Sequence, residues 1–339
     1  MGKIAHIQSE IDEITLLQRR SDHNYFIVQN NLKGLSKRKF LLKLNQEKRK
    51  AVRKLRKTLS AKECYYGPFK GEFGHFLAHS MPMLMYLHSK GVKIHYCGME
   101  IHNPFLVDEK GESILHSTCF LRDFFAEVSP SSNSTVPPVD VQREIDEFSV
   151  KANSSALPFW NLEDNFYYWF VHRDLVADRC NFLYDIGKFY KSEKGRSCAI
   201  FPRSKGAGVS KNNGENWDYQ KILEQLSAKY DTVYVCGHPS QSLHLTPTSN
   251  TKMVITSDNA KIIEACANSE TIFSQHSGVI YISALLRKKF LLMYKGGKKP
   301  SDIGSIRNTL HFLDSFDTDF ELEFCFGEKQ FEQYLKNIN

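Results

Sequence analysis

The sequence has no apolar run approaching the roughly 18 residues that a membrane-spanning helix needs. Its opening stretch, MGKIAHIQSEIDEITLLQRR, has no continuous apolar h-region and so does not read as a secretory signal. No two of its eight cysteines (Cys64, Cys97, Cys119, Cys180, Cys198, Cys236, Cys266, Cys325) form a CxxC pair, so a zinc site and a thioredoxin-type site lack support. Without a signal segment, these thiols are expected to be reduced, in a cytoplasmic protein. The strict GxGxxG followed by an acidic residue is also missing, which counts against a dinucleotide oxidoreductase. What remains is ordinary globular composition, 41% hydrophobic and 24% charged. That excludes disorder, collagen and a coiled-coil rod. A length of 339 residues fits two domains with an appendage.

The charge is unevenly spread. Of the net +7, residues 1–60 carry 15 Lys+Arg against 5 Asp+Glu, so the rest of the chain is slightly acidic. The excess concentrates in residues 36–60, SKRKFLLKLNQEKRKAVRKLRKTLS, where Leu41, Leu44, Val52, Leu55 and Leu59 recur at helical spacing. Such a helix can pack one apolar stripe on its own protein, or lie on an anionic membrane surface. Nucleic acid is not expected as a partner, because aromatic stacking residues are scarce here.

Beyond residue 60 the pattern changes to alternating strands and helices. Glu63–Phe69 predicts a strand, Gly71–Gly74 a glycine loop, and His75–Lys90 a helix kinked or started late at Pro82. Gly91 closes that helix and Val92–Cys97 predicts a second strand, completing a βαβ unit. Ser129–Asp140 reads as a loop, residues 158–190 as aromatic-rich and mostly helical, and residues 190–197 as a hinge. Then follow strands at Ser197–Pro202, Thr232–Cys236, Lys252–Thr256, Thr271–Gln275 and Lys289–Met293. Helices are expected at Trp217–Tyr230, at Asn259–Ala267 (capped by Ser257 or Asp258), and after His276-Ser277-Gly278. A last helix is expected at residues 328–338. This alternation predicts parallel, doubly wound sheets, an α/β fold with two Rossmann-like domains behind a basic helical segment.

In such sheets ligands sit beyond the carboxyl ends of the strands. After the first strand of the second half come Arg203, Lys205 and glycines, a set suited to a diphosphate. Gly237 and His238 follow the next strand, where backbone could approach a base or ribose. His276, Ser277 and Gly278 stand before a helix, where free N–H groups would favour phosphate. Tight turns and solvated cations are the alternative reading. In the first half, Gly71 and Gly74 leave room for a second ligand, and Glu72 or His75 could serve as a general base. A surface glutamate and a helix-capping histidine explain the same two residues equally well. His79 and His88 read as structural.

The segment GEFGHFLAHSMPMLMYLHSKGVKIHYCG resembles the opening unit of the cell-wall lipid-intermediate N-acetylglucosaminyltransferases, with Gly71, Gly74, His75, Pro82, Gly91 and Gly98 in the family's order. FPRSKG is similar to the donor domain of heptosyltransferase-like enzymes, with Arg203 and Lys205 at the diphosphate. Both belong to the GT-B glycosyltransferase superfamily. The departures are a poorer glycine loop, the preceding basic segment, and no acidic ribose ligand near Ser277.

Behind the basic appendage that the charge marks over 1–60, the resemblance implies an acceptor domain over 61–190, a nucleotide-sugar donor domain over 191–325, and a helix over 326–339 crossing back to the first domain. It implies an inverting, metal-independent sugar transfer from a nucleotide-diphosphate sugar to a glycan or lipid-linked acceptor, as in polysaccharide biosynthesis, with no cofactor. The enzyme would be cytoplasmic, peripheral on the inner face of a membrane held through residues 36–60.

Three rivals compete. A metal-dependent transferase would use Asp317-Thr318-Asp319. A nucleotide-sugar epimerase would need no acceptor. A non-catalytic nucleotide- or polyanion-binding protein would dock through the basic helix.

Overall fold

The computed structural model describes residues 27, 31–71, 74, 76–124, 127, 136–162, 175, 186–190, 195–203, 217–275, 277–294 and 321–338. The description opens on helix α1, Gly34–Ala61, built almost wholly from leucine, lysine, arginine and other strong helix formers. Phe40, Leu44, Ala51, Leu55 and Thr58 are its buried face, and Lys62 ends it in a left-handed turn. The expected stripe is therefore rotated slightly: Leu44 and Leu55 are buried, Leu41 and Leu59 half-buried, and Val52 exposed.

This face packs into the core of the first sheet. The buried indole of Trp160 donates to Thr58 Oγ1 at 3.0 Å, and Lys54 Nζ donates to the Phe159 carbonyl at 2.8 Å. Burial lowers the pKa of Lys54. The stripe packs on its own protein, the blander of the two readings.

The first sheet has four parallel strands in the order β3-β2-β1-β4: β1 Glu63–Phe69, β2 Lys93–Met99, β3 Ser117–Leu121 and β4 Phe159–Asn161. A π-helical turn, Phe76–Ser80, leads into α2, Met81–Ser89. Pro82 stands in the first turn of α2, directly after the π-helical turn. A short 3-10 turn, Glu100–Phe105, follows β2. Helix α3, Val139–Ser154, packs Val141, Ile145, Phe148 and Ala152 against the other face, where Phe148 meets Tyr65 edge-on. One correction falls here. Residues 159–161, expected to be helical, form strand β4 beside β1.

The second sheet has six parallel strands in the order β10-β9-β8-β5-β6-β7. They are β5 Ser197–Phe201, β6 Thr232–Gly237, β7 Thr251–Ile255, β8 Thr271–Ser274, β9 Lys289–Tyr294 and β10 Leu322–Phe326. Helix α4, Tyr219–Ser227, is capped by Asp218, whose carboxylate accepts from Lys221 N. Helix α5, Asn259–Asn268, is capped by Asp258 accepting from Ala260 N, which decides between Ser257 and Asp258. Helix α6 is Val279–Leu285 and α7 is Glu328–Asn337.

The expected crossing of the last helix back to the first unit is not what the described contacts show. Phe331 and Leu335 of α7 sit in the core of the second sheet with Trp217, Leu223 and Phe273. Lys221 Nζ reaches Glu332 at 3.3 Å, and Lys229 Nζ donates to the Ile338 carbonyl at 3.1 Å. An amphipathic helix this short buries its apolar side on the nearest sheet face, here its own.

None of the seven described cysteines is in a disulfide. Burial pushes the Cys64 thiol up to about 12. Among the described residues no helix is long and apolar enough to cross a membrane.

Candidate functional site

Strand order fixes where a ligand would lie. In the first sheet the chain moves from β1 outward through β2 to β3, then returns to the other side of β1 with β4. In the second it moves from β5 outward through β6 to β7, then returns beside β5 with β8. Each reversal opens a crevice beyond the carboxyl ends of two neighbouring strands. For the second sheet that crevice lies between the loops leaving β5 and β8.

The two carboxyl edges face each other, and several contacts among the described residues join them. Gly74, beyond β1, lies against Gly278, beyond β8. A Cβ at Gly74 would stand 3.2 Å from Gly278 Cα and 3.5 Å from the Tyr281 ring. Asn259, beyond β7, donates its amide to the Ile101 carbonyl, beyond β2. Asp123, beyond β3, accepts from His238, beyond β6, at 2.6 Å. Buried side chains of both units, among them Phe76, Phe105, Ile262 and Ile280, belong to one apolar cluster.

The polar side of the site belongs to the second unit. Arg203 pairs its backbone with Ser242 in an isolated bridge, and Leu243 N donates to the Pro202 carbonyl at 2.8 Å. Arg203 Nη2 donates to Gln241 Oε1 at 3.3 Å. The guanidinium is thus tied to the same loop that carries His238. Ser240 N donates to His238 Nδ1 at 3.2 Å, which makes Nδ1 an acceptor and places the proton on Nε2, toward Asp123. Gly237 permits the loop's tight return, because a Cβ there would come within 2.1 Å of Ser242 Oγ. Ser242 Oγ in turn donates to the His238 carbonyl at 2.9 Å.

Ser277 serves its own turn. Its Oγ accepts from Val279 N at 3.4 Å and lies 3.3 Å from Ser274 Oγ. Helix α6 has only seven residues, so its N-terminal dipole is weaker than a long helix would give. Gln275 beside it is buried, and neither amide atom has a hydrogen-bond partner among the described residues.

Among the described residues, the first unit's side of the site rests on stacked rings. His102 stacks flat on Phe76, centroids 4.1 Å apart, and meets Phe69 edge-on. Burial pushes the His102 imidazole down to about 3, so it is a neutral ring within the core. Arg122 turns its guanidinium to Asp140, at 2.7 Å, and to Glu127. That pairing fixes the loop after β3, from which Asp123 reaches across.

Of the residues expected from sequence, the structure brings Gly74, Arg203, Gly237, His238, Ser277 and Gly278 to this one rim, with Gly71 in the turn after β1. Glu72, His75, Lys205 and His276 lie outside the described residues, as does Asp317-Thr318-Asp319. The His238 side chain bridges the two units, and its carbonyl accepts from Ser242 Oγ and Gln241 N. Asp123 and His102 carry no signal in the sequence. The first follows an unrecognised strand, and the second sits in a six-residue turn. Among the described residues, no three His, Cys, Asp or Glu side chains are grouped to hold a metal ion.

No family model matches the chain, and no curated protein matches it in sequence. Solved structures similar in shape include the Escherichia coli heptosyltransferase WaaC with ADP, at 9% identity and TM-score 0.47, covering 82% of this chain and 100% of that one. The same enzyme with ADP-2-deoxy-2-fluoro heptose gives 8% and 0.44, covering 73% and 98%. A family 9 glycosyl transferase from Veillonella parvula DSM 2008 gives 9% and 0.42, covering 82% and 90%. Likeness at this level carries no weight for what the chain does.

Proposed function

We propose that the chain is a GT-B-type glycosyltransferase, moving a sugar from a nucleotide-diphosphate donor to the hydroxyl of a glycan or lipid-linked acceptor. The observation that carries this reading is the meeting of two parallel sheets by their carboxyl edges, with both switch-point loops in contact at Gly74 and Gly278. Two facing crevices provide two ligand sites within reach of each other, as a group transfer between two substrates requires.

The donor sits on the second unit. Arg203, with Lys205 two residues on in sequence, balances the charge on the departing diphosphate, so no metal ion or cofactor is needed. The backbone at Gly237, His238, Ser277 and Gly278 lines the nucleotide, with His276 adjacent in sequence. The acceptor enters along Gly71 and Gly74. Its oxygen attacks the anomeric carbon, a new C–O bond forms, and the bond to the diphosphate breaks. Glu72 or His75 takes the hydroxyl proton, and the nucleoside diphosphate leaves with the bonding pair. One in-line displacement inverts the anomeric centre.

The test is release of nucleoside diphosphate from a panel of nucleotide sugars, with and without acceptor glycans and with a chelator present. Acceptor-dependent release that survives chelation is expected. Epimerised donor without acceptor would replace this reading with an epimerase. Tight binding without turnover on any acceptor would make it a binding protein.

A further inference from the structure

We propose that the outer face of α1, and not its apolar stripe, docks the protein flat on an anionic lipid bilayer. The apolar stripe is unavailable, since Phe40, Leu44, Ala51 and Leu55 are buried in the first unit's core. At about 100° per residue, the opposite side of the helix carries Arg38, Arg49, Arg53 and Arg56 in one row. All four are exposed. Between and beside them stand Leu35 and Leu42, exposed at 68% and 64%. Lysines flank the row. The helix contains eleven Lys and Arg and a single acidic residue, Glu47, which pairs with Lys50 at 2.9 Å.

From Arg38 to Arg56 this row runs about 27 Å along a straight helix of 28 residues. A line of cations of that length matches a flat, uniformly anionic plane, which draws each basic side chain independently. Two leucines directed away from the protein have no use in water, but in the interface they enter the boundary between headgroups and acyl chains. A binder of single-stranded nucleic acid would instead present aromatic rings for stacking, and the one aromatic residue of α1, Phe40, points inward. This surface does not depend on what the cleft binds.

The experiment uses the full chain with vesicles of phosphatidylcholine, with and without phosphatidylglycerol, in a co-sedimentation assay across a salt series. The whole helix cannot be deleted as a control, because its inner face is core. Arg38→Gln, Arg49→Gln, Arg53→Gln and Arg56→Gln combined alter only exposed side chains. Unchanged melting of this variant confirms its fold. The wild-type chain should bind only the anionic vesicles and release as salt rises. At about fivefold per basic residue, the quadruple variant should bind at least on the order of a hundredfold more weakly. Leu35→Ser with Leu42→Ser should weaken vesicle binding without altering its salt dependence. The proposal is overturned if the wild-type chain ignores anionic vesicles, or if the quadruple variant binds them as well as wild type. It is also overturned if duplex DNA or single-stranded RNA is bound more tightly than vesicles and the leucine changes have no effect.

Discussion

The two units meet the shared cleft with opposite chemistry. On the first unit's side the wall is ring on ring, with Phe69, Phe76 and the neutral His102 all fully or nearly fully buried. On the second unit's side stand Arg203, Gln241, His238 and Ser277, tied by hydrogen bonds to each other or to their own loops. An anionic ligand gains nothing from the first wall and a charge-assisted partner from the second. On the proposed reading the buried rings hold the first rim in place and Arg203 meets the donor on the second, so substitutions of these residues should report in different measurements.

Phe76→Ala should break the first rim outright. Removing a fully buried phenyl ring costs about 3–5 kcal/mol of stability, read as a lowered urea midpoint. Arg203→Ala on the second rim should leave that midpoint within about 0.5 kcal/mol, because the side chain is partly exposed. The same change should weaken nucleoside diphosphate binding by about 1.5–3 kcal/mol, tenfold or more by calorimetry. A large stability loss in Arg203→Ala, with unchanged affinity, would reverse the division between the rims.

His102 sharpens the contrast through pH. Its folded value is about 3, well below the about 6.5 of the unfolded chain. Between these values the unfolded chain holds a proton that the folded one refuses. Stability therefore falls as pH drops through that window, by up to about 1.4 kcal/mol per pH unit. His102→Phe should flatten this acid slope in denaturation measured from pH 7 to pH 5. The smallest effect is expected at the bridge between the rims. Asp123→Asn keeps an acceptor for His238 but loses the charge, and at a partly solvated site this costs about 1 kcal/mol or less.

The legibility of the fold followed burial. Periodicity finds β1, β2, β5, β6, β8 and β9, whose residues are largely buried, as in SCAIF. It also finds the edge strand β7 by its apolar Met253-Val254-Ile255 run, although none of its residues is buried. It misses β3, β4 and β10, and all three lie at sheet edges. β3 shows two exposed and two half-buried residues before its one buried leucine. β4 is only three residues long, inside an aromatic stretch that reads as helix. Edge strands are half-solvated, so their apolar signal is thin.

The candidate site divides in the same way. Arg203, Gly237, His238, Ser277 and Gly278 follow recognisable strands, and the rule that ligands lie beyond carboxyl ends finds them. Asp123 follows β3 and is lost with it. Its partner His238 is 115 residues away, a pairing that no local pattern encodes. α1 shows the converse limit: its periodicity is correct, but periodicity alone does not tell whether the apolar face meets the protein's own core or a membrane.

The most direct test of the two-rim account is thermal melting of the wild-type chain and Arg203→Ala with UDP, GDP, CMP, ADP and dTDP, with and without magnesium. Saturation at about a hundred times the dissociation constant adds roughly 2.7 kcal/mol, a clear rise in Tm. The account predicts a magnesium-independent rise with one of these nucleotides, lost or sharply reduced in Arg203→Ala. No rise with any nucleotide, or an equal rise in the variant, would contradict it.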